Sequence, residues 1–263
     1  MRIVVAGGHG FIGQTAVARL RADGHDVIAT GRADTLAAVA AGCDALVWAA
    51  GARTLDEARD RADHLEAPLA AITAAPRPPR VIYLSSGEVY GAQAVPFHED
   101  APLLGTTTYA HAKIAGEAAV RATVPEAFVL RPAIAVGPTQ TGAMFVPAAL
   151  AALRARTPLV MTPGEQTRDL VLVDDVAEVI ARCLAPAAPP GTYNVGSGVE
   201  VRMRDLAEQL ADALGAPRAL IHAGALPYRA GEQMRYALDP TRAQAALGWR
   251  ATPLDALLDA LIP

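Results

Sequence analysis

The stretch RIVVAGGHGFIG at residues 2–13 decides the fold of this chain. Its first part, Arg2 to Ala6, is a short apolar run that predicts a buried parallel strand. Three glycines follow at regular spacing, Gly7, Gly10 and Gly13, and a helical pattern begins directly after them. A glycine-rich turn between a strand and a helix brings backbone N–H groups and a helix N-terminus to a pyrophosphate. The stretch therefore predicts a dinucleotide-binding turn, with an ordinary strand–helix connection as the alternative.

Strands and helices alternate along the chain after this turn. Apolar runs predict strands at residues 26–30, 44–50, 81–84, 128–131, 166–173 and 193–195, and helical patterns include residues 55–75 and 109–122. Only residues 33–42 separate the second strand from the third, which leaves room for one small helix and hardly for a further strand. The alternation predicts an α/β fold, a Rossmann-type doubly wound parallel sheet with a smaller C-terminal substrate lobe. We assign residues 1–139 and 164–184 to the cofactor domain. The substrate lobe would consist of residues 140–163 and 185–263.

The end of the second strand bears on the choice of cofactor. An NAD-binding unit usually places an acid there for the ribose diol. In this chain the strand ends in Thr30, Gly31 and Arg32, and no carboxylate is available. Arg32 can instead hold the 2′-phosphate of NADP, with a surface arginine as the alternative. The sequence thus favours NADP over NAD.

Tyr109 and Lys113 lie four residues apart in the stretch YAHAK. Lys and Arg together number 23, and Lys113 is the only lysine. Positions four apart share one face of a helix, so the phenol and the ammonium can serve one site. A nearby cation lowers the pKa of a tyrosine from about 10, which suits proton exchange with a substrate hydroxyl or carbonyl. A chance pair on an exposed helix is the alternative.

Composition narrows the classes of function. The net charge of −4 gives no reason to expect a nucleic-acid partner. Cys43 and Cys183 lie in apolar contexts without metal-ligand spacing, so we expect buried thiols and no metal. The chain begins with a strand and not with a signal peptide, and no apolar run reaches the roughly 20 residues of a membrane span. We therefore expect a cytoplasmic enzyme without a membrane partner.

Further motifs follow in a fixed order. They are SSGEVYG at 85–91, LRPAIAVGP at 130–138, GEQTRDLVLVDDVA at 164–177, YNVGSG at 193–198, RAGE at 229–232 and LGW at 247–249. Together with the glycine-rich turn and the Tyr109/Lys113 pair, they resemble the extended short-chain dehydrogenase/reductases. More narrowly, the chain resembles the NAD-dependent epimerase/dehydratase family that acts on nucleotide sugars. The resemblance runs nearly from end to end.

The resemblance implies a catalytic set around the predicted helix 109–122. Tyr109 would be the acid/base, Lys113 would bind the nicotinamide ribose and tune the tyrosine, and Ser86 would hydrogen-bond the reacting oxygen. Glu88 stands where related dehydratases and decarboxylases place an extra acid/base, and a structural carboxylate is the alternative.

The same resemblance implies two sets of binding residues. The cofactor would be held by Gly7, Gly10, Phe11, Ile12, Gly13, Arg32, Ala49, Ala50, Gly51, Tyr109, Lys113 and Pro132. Arg168 and Arg229 would grip a substrate pyrophosphate with bidentate guanidinium donors, and two surface arginines are the alternative. Ile134 replaces an asparagine that commonly contacts the substrate diphosphate.

The implied chemistry is hydride transfer between NADP or NAD and a sugar carbon. We expect reduction of a keto group on a nucleotide-activated sugar, because no acid follows the second strand and Gly87 lacks the carboxylate of the dehydratase pattern. A 4-epimerase or a dehydratase is the alternative within this class, and a non-catalytic dinucleotide-sensing regulator is the alternative outside it. Family members commonly pair the helices corresponding to 55–75 and 109–122 between subunits, which implies a homodimer.

Overall fold

The computed structural model describes residues 1–31, 34–51, 53–54, 56–142 and 144–262. Its strands are β1 (Arg2–Ala6), β2 (Asp26–Thr30), β3 (Ala45–Trp48), β4 (Arg80–Leu84), β5 (Phe128–Pro132), β6 (Ile134–Val136), β7 (Leu159–Met161), β8 (Thr167–Arg168), β9 (Leu170–Leu172), β10 (Gly191–Val195), β11 (Val201–Arg202) and β12 (Ile221–Ala223). Its helices are α1 (Phe11–Ala22), α2 (Thr35–Ala40), α3 (Glu57–Arg61), α4 (Ala67–Ala74), α5 (Thr108–Thr123), α6 (Phe145–Arg154), α7 (Val173–Cys183), α8 (Met203–Ala213), α9 (Thr241–Leu247) and α10 (Leu254–Leu261). A π-helical turn, Ala62–Glu66, joins α3 to α4, and a 3₁₀ turn, Gly87–Tyr90, follows β4. None of these described helices is long and apolar enough to cross a lipid bilayer.

Six parallel strands form the central sheet in the order β10-β5-β4-β3-β1-β2. The chain passes from β1 to β2 on one side and then returns across β1 to β3 on the other. The direction of winding therefore reverses between β1 and β3. In open α/β sheets, ligands bind at such a reversal, outside the carboxyl ends of the strands. The predicted doubly wound sheet is confirmed.

Helices cover both faces of this sheet because side chains alternate along each strand. Ile3 and Val5 of β1 belong to the core shared with α1 and α7. Val4 and Ala6 belong to the core shared with α2, α4 and α5. Since parallel strands are buried on both faces, β1 reads as a continuous apolar run.

The short connection after β2 leaves that strand at the edge of the sheet. The described residues between β2 and β3 form one helix, α2, and no strand, as the short spacing predicts. The exposed edge is partly covered by Arg21, whose Nη2 atom donates to the Val27 carbonyl at 3.0 Å. Arg32, predicted to select the cofactor, lies outside the described residues.

A second core forms the smaller lobe. Side chains of α6, α8 and α10 pack there around the paired strands β7 and β12. Two other parts of the chain belong to the first unit, since α7 packs against α1 and β10 pairs with β5 in the central sheet. The strand β10 thus lies outside the lobe, although the sequence places 185–263 within it.

The strand predicted at 166–173 is interrupted at Asp169. Its carboxylate is fully buried and accepts hydrogen bonds from the backbone N–H groups of Ser197, Gly198 and Leu238. The Ser197 hydroxyl donates a fourth at 2.6 Å. A buried carboxylate needs hydrogen-bond partners, and Asp169 finds them in the loop after β10. The segment is therefore divided at Asp169 into β8 and β9.

Candidate active site

The glycine-rich turn lies at the reversal between β1 and β3. Gly7 has a φ of +76°, and a Cβ atom there would lie 2.7 Å from the Cα atom of Ala50 and 2.8 Å from the carbonyl oxygen of Ala49. A Cβ atom on Gly13, in the first turn of α1, would collide with the Gly7 carbonyl group. The Gly10 N–H donates to that same carbonyl at 2.9 Å and closes the turn. Gly7 and Gly13 therefore let backbone segments lie closer together than a Cβ atom would permit.

The N-terminus of α1 lies next to this turn. Phe11, Ile12 and Gly13 form its first turn, and the N-cap residue Gly10 supplies no side-chain hydrogen bond. The first N–H groups of a helix have no partner within the helix, and the positive end of the helix dipole favours a phosphate. These residues fit the pyrophosphate of a dinucleotide.

Gly13→Ala should weaken NAD(P) binding while the protein still folds. The added methyl group would push the Gly7 carbonyl aside, and such overpacking costs about 1–3 kcal/mol. When this free energy is lost from cofactor binding, the Kd for NAD(P) rises roughly 5- to 150-fold. Isothermal titration measures this. Gly10→Ala is the matched control, because its Cβ atom would lie 3.3 Å from the same carbonyl and should have a smaller effect. Equal affinities in all three proteins would contradict the assignment.

Tyr109 is fixed by the start of α5. Thr107 is the N-cap residue, and its hydroxyl accepts from the Ala110 N–H at 3.0 Å. Tyr109 therefore lies in the first turn and Lys113 one turn later, on the same face. The Lys113 Nζ atom donates to the Leu84 carbonyl at 2.5 Å and lies 5.7 Å from the centroid of the Tyr109 ring.

Ser86 meets the same helix from the end of β4. It is the N-cap residue of the 3₁₀ turn, where its Oγ atom accepts from the Glu88 N–H at 3.1 Å. The Ser86 hydroxyl also acts on the phenol of Tyr109, whose pKa it lowers. The structure thus brings Ser86, Tyr109 and Lys113 to one region, and their catalytic roles stay a prediction.

Burial controls the charges of this pair. It raises the pKa of Tyr109 to about 12, against the opposing effects of the Ser86 hydrogen bond and of Arg53. It also lowers the pKa of Lys113 to about 7, although Glu117 and Asp63 favour the ammonium. The pKa of Tyr109 is therefore raised and not lowered as expected from Lys113, because burial is the largest influence on the phenol.

The π-helical turn packs against Tyr109. His64 lies edge-on to the tyrosine ring, with 5.0 Å between the ring centroids and 88° between the ring planes. Gly51, at the end of β3, has a φ of +97°, and a Cβ atom there would collide with the His64 imidazole. The His64 carbonyl accepts from the Tyr83 hydroxyl at 2.7 Å. The buried residue His64 therefore contacts both Tyr109, which is predicted to be catalytic, and Gly51, which is predicted to bind the cofactor.

The predicted substrate arginines differ in their surroundings. Arg168 is ion-paired with Glu232, and its Nη1 atom donates to the carbonyls of Thr167 at 2.7 Å and Gln233 at 2.8 Å. Arg229 is exposed, and the described residues provide it with no ion pair. The RAGE segment therefore lies beside Arg168, but only Arg229 presents an uncompensated charge.

The family model for NAD dependent epimerase/dehydratases matches residues 3–196. The chain belongs to this family. A UDP-glucose 4-epimerase of Mycolicibacterium smegmatis is 34% identical over 300 aligned positions, which cover 95% of this chain and 93% of the relative. A dTDP-6-deoxy-L-talose 4-dehydrogenase (NAD(P)(+)) of Kitasatospora kifunensis is 29% identical, covering 99% of this chain and 93% of the relative. The solved structure of MoeE5 with UDP-glucuronic acid and NAD superposes with a TM-score of 0.89 at 22% identity, covering 99% of this chain and 97% of that one, which shows the shared fold.

Membership of the epimerase/dehydratase family makes the chain an NAD(P)-dependent enzyme. Within the described part of the chain, several residues predicted to bind the cofactor lie at the carboxyl ends of strands, and their role stays a prediction. Gly7, Ala49 and Ala50 meet at the reversal, and Pro132 is buried at the carboxyl end of β5. The preference for NADP based on Arg32 stays a prediction.

Two side chains of this candidate site were not predicted from the sequence. Arg53 follows β3 and pairs with Glu88, with 3.1 Å between Nη2 and Oε1, while the Thr107 hydroxyl donates to the same carboxylate at 2.7 Å. Tyr236 is buried with its hydroxyl against Gly87, where any Cβ atom would collide with it. Only the glycine at position 87, within a serine motif, hinted at such a close neighbour.

Proposed function

We propose that the protein reduces a keto group on the sugar of a nucleotide-activated hexose, at C4, with NADPH or NADH as the reductant. The observation that carries this proposal is the convergence of Ser86, Tyr109 and Lys113 beside a glycine-rich turn that fits a dinucleotide. Relatives named for reactions at position 4 of nucleotide sugars match almost the whole chain, which supports the substrate class.

The side chains suit proton donation in the reducing direction. Because the pKa of Tyr109 is raised to about 12, the phenol keeps its proton at neutral pH and can deliver it to the carbonyl oxygen. The Ser86 hydroxyl is placed to hold the same oxygen, and the Lys113 ammonium stabilises the phenolate left behind. When bound, NADPH or NADH would supply the hydride for the carbonyl carbon.

A dehydratase is less well supported, since Gly87 occupies the position of the dehydratase acid. A side chain at that position would strike the Tyr236 hydroxyl. Glu88 lies nearby, but Arg53 and Thr107 already occupy its carboxylate. We therefore interpret Glu88 as a structural carboxylate, which connects the start of α5 to the 3₁₀ turn.

A 4-epimerase is the second candidate, favoured by the 34% identical relative. Two assays separate the candidates. A reductase consumes NADPH or NADH in stoichiometric amounts with a nucleotide 4-keto-6-deoxyhexose, followed by absorbance. An epimerase converts UDP-glucose to UDP-galactose without net consumption of the cofactor. Absence of turnover in both assays would favour a dinucleotide-sensing regulator.

The homodimer inferred from sequence also stays a prediction.

Arg229→Ala should raise the KM for a nucleotide sugar. Because Arg168 is already paired with Glu232, much of the diphosphate charge would fall to Arg229. Losing one charge-assisted partner costs about 1.5–3 kcal/mol, which is roughly 10- to 150-fold. Ile134 lacks a polar group, so it offers no compensating contact.

The control for this prediction is Arg235→Ala. Arg235 is a nearby exposed arginine whose charge is taken by Glu200. Free UDP or dTDP should inhibit the wild type and Arg235→Ala alike, and Arg229→Ala much less. NAD(P)H affinity should stay the same in all three. If the diphosphates inhibit none of them, the substrate is not a nucleotide sugar.

A further inference from the structure

One face of α5 holds the end of β4 at three consecutive residues. Lys113 donates to the Leu84 carbonyl, and Glu117, one turn further along, accepts from the Ser85 hydroxyl. Ser86 follows directly, and its hydroxyl acts on the phenol of Tyr109, one turn before Lys113. The polar contacts of Leu84 and Ser85 therefore determine where Ser86 meets the helix.

Glu117 is itself held rigidly. Arg131 of β5 binds it with two hydrogen bonds, from Nε at 3.0 Å and from Nη2 at 2.6 Å. The Arg131 Nη1 atom continues to the Tyr90 hydroxyl and to the Glu99 carbonyl, both at 2.9 Å. Glu117 and Arg131 are 3% and 4% exposed. A bidentate pair this deeply buried has one geometry, so Ser85 has a fixed partner.

Several charged or titratable groups face Lys113. Tyr109 and Glu117 belong to its own helix, Tyr83 of β4 places its ring centroid 5.0 Å from Nζ, and Asp63 of the π-helical turn acts on its charge. Glu117 is the largest of the influences that favour the ammonium. It thus acts on the catalytic residues by a hydrogen bond on one side and by its charge on the other.

We propose that Glu117 is a positioning residue of the reaction, which fixes the turn bearing Ser86 through Ser85 and keeps a buried carboxylate one helical turn from Lys113. This inference rests on the catalytic roles proposed for Ser86, Tyr109 and Lys113. The Glu117 carboxylate is buried and accepts from Ser85 and Arg131, so it acts through other residues. The positional effect of Glu117 and the effect of its charge can be separated, because Ser85 transmits only the positional effect.

The charge effect has a direct readout that needs no substrate. Lys113 is the only lysine, so isotope labelling of lysine gives one side-chain signal to follow by NMR during a pH titration. In the wild type, the midpoint should lie near pH 7, since the pKa of Lys113 is lowered to about 7. In Glu117→Gln, which keeps the size of the side chain, the midpoint should fall by about one pH unit or more. An unchanged midpoint in the folded variant overturns the proposal, whatever the activity.

The geometric effect is read from turnover. Ser85→Ala leaves the ion pair intact, so it should lower kcat roughly 10-fold or more, as misplacing a catalytic group does, with KM and the Lys113 midpoint unchanged. Glu99→Gln is the control, a buried carboxylate that accepts from the Asn194 N–H at 2.9 Å and should leave both readouts as in the wild type.

Each result decides one question. If Glu117→Gln does not fold, wild-type kcat in Ser85→Ala overturns the proposal. Equal losses in Ser85→Ala and Glu99→Gln would reduce the effect to general stability and also overturn it. If the wild type itself turns over no nucleotide sugar, the proposed function fails, while the NMR titration still tests Glu117.

Discussion

Tyr109→Phe should lower kcat by roughly 10²- to 10⁴-fold, the usual contribution of a general acid. The substitution removes only the hydroxyl group that would deliver the proton. The ring keeps its edge-on contact with His64, so the fold should persist. The NAD(P)H affinity should also persist, because the glycine-rich turn is unchanged. Steady-state kinetics and cofactor titration measure both.

Tyr193→Phe is the control for this experiment. Tyr193 also loses a hydroxyl, which donates to the Pro189 carbonyl at 2.6 Å, but it lies on β10 away from the predicted catalytic set. Its kcat should equal that of the wild type. A Tyr109→Phe enzyme with near-normal kcat would show that another group supplies the proton.

Arg131→Met should lower the free energy of unfolding by about 3–5 kcal/mol, as removal of one partner of a buried ion pair does. The substitution would leave the Glu117 carboxylate buried with only the Ser85 hydroxyl as a donor. It would also remove the hydrogen bonds to Tyr90 and Glu99. Chemical denaturation measures the change.

Two further variants locate the origin of this loss. In Arg131→Met combined with Glu117→Leu, neither member of the pair leaves an unpaired charge behind, so much of the stability should return. Arg218→Met removes an arginine from an exposed pair with Asp212, where both side chains are more than half exposed, and should change the denaturation midpoint little. If the double variant is less stable than Arg131→Met, the pair itself stabilises the fold and the desolvation argument is wrong.

The sequence by itself determined the features that depend on neighbouring residues along the chain. The turn at 7–13 requires glycines because its backbone passes within contact distance of itself, and that constraint is visible as spacing. Tyr109 and Lys113 share a face because a helix repeats every 3.6 residues. The short segment after β2 leaves no room for another strand, so the edge position of β2 also follows from chain length.

Tertiary structure alone decided the charges and the partners. Burial raises the pKa of Tyr109, whereas the sequence showed only a cation four residues away. Arg53, Tyr236 and Arg131, the partner of Glu117, enter the site from other elements of the fold. Spacing cannot reveal such contacts, because desolvation and Coulomb interactions depend on distances through space, which are set only when the sheet and its helices pack together.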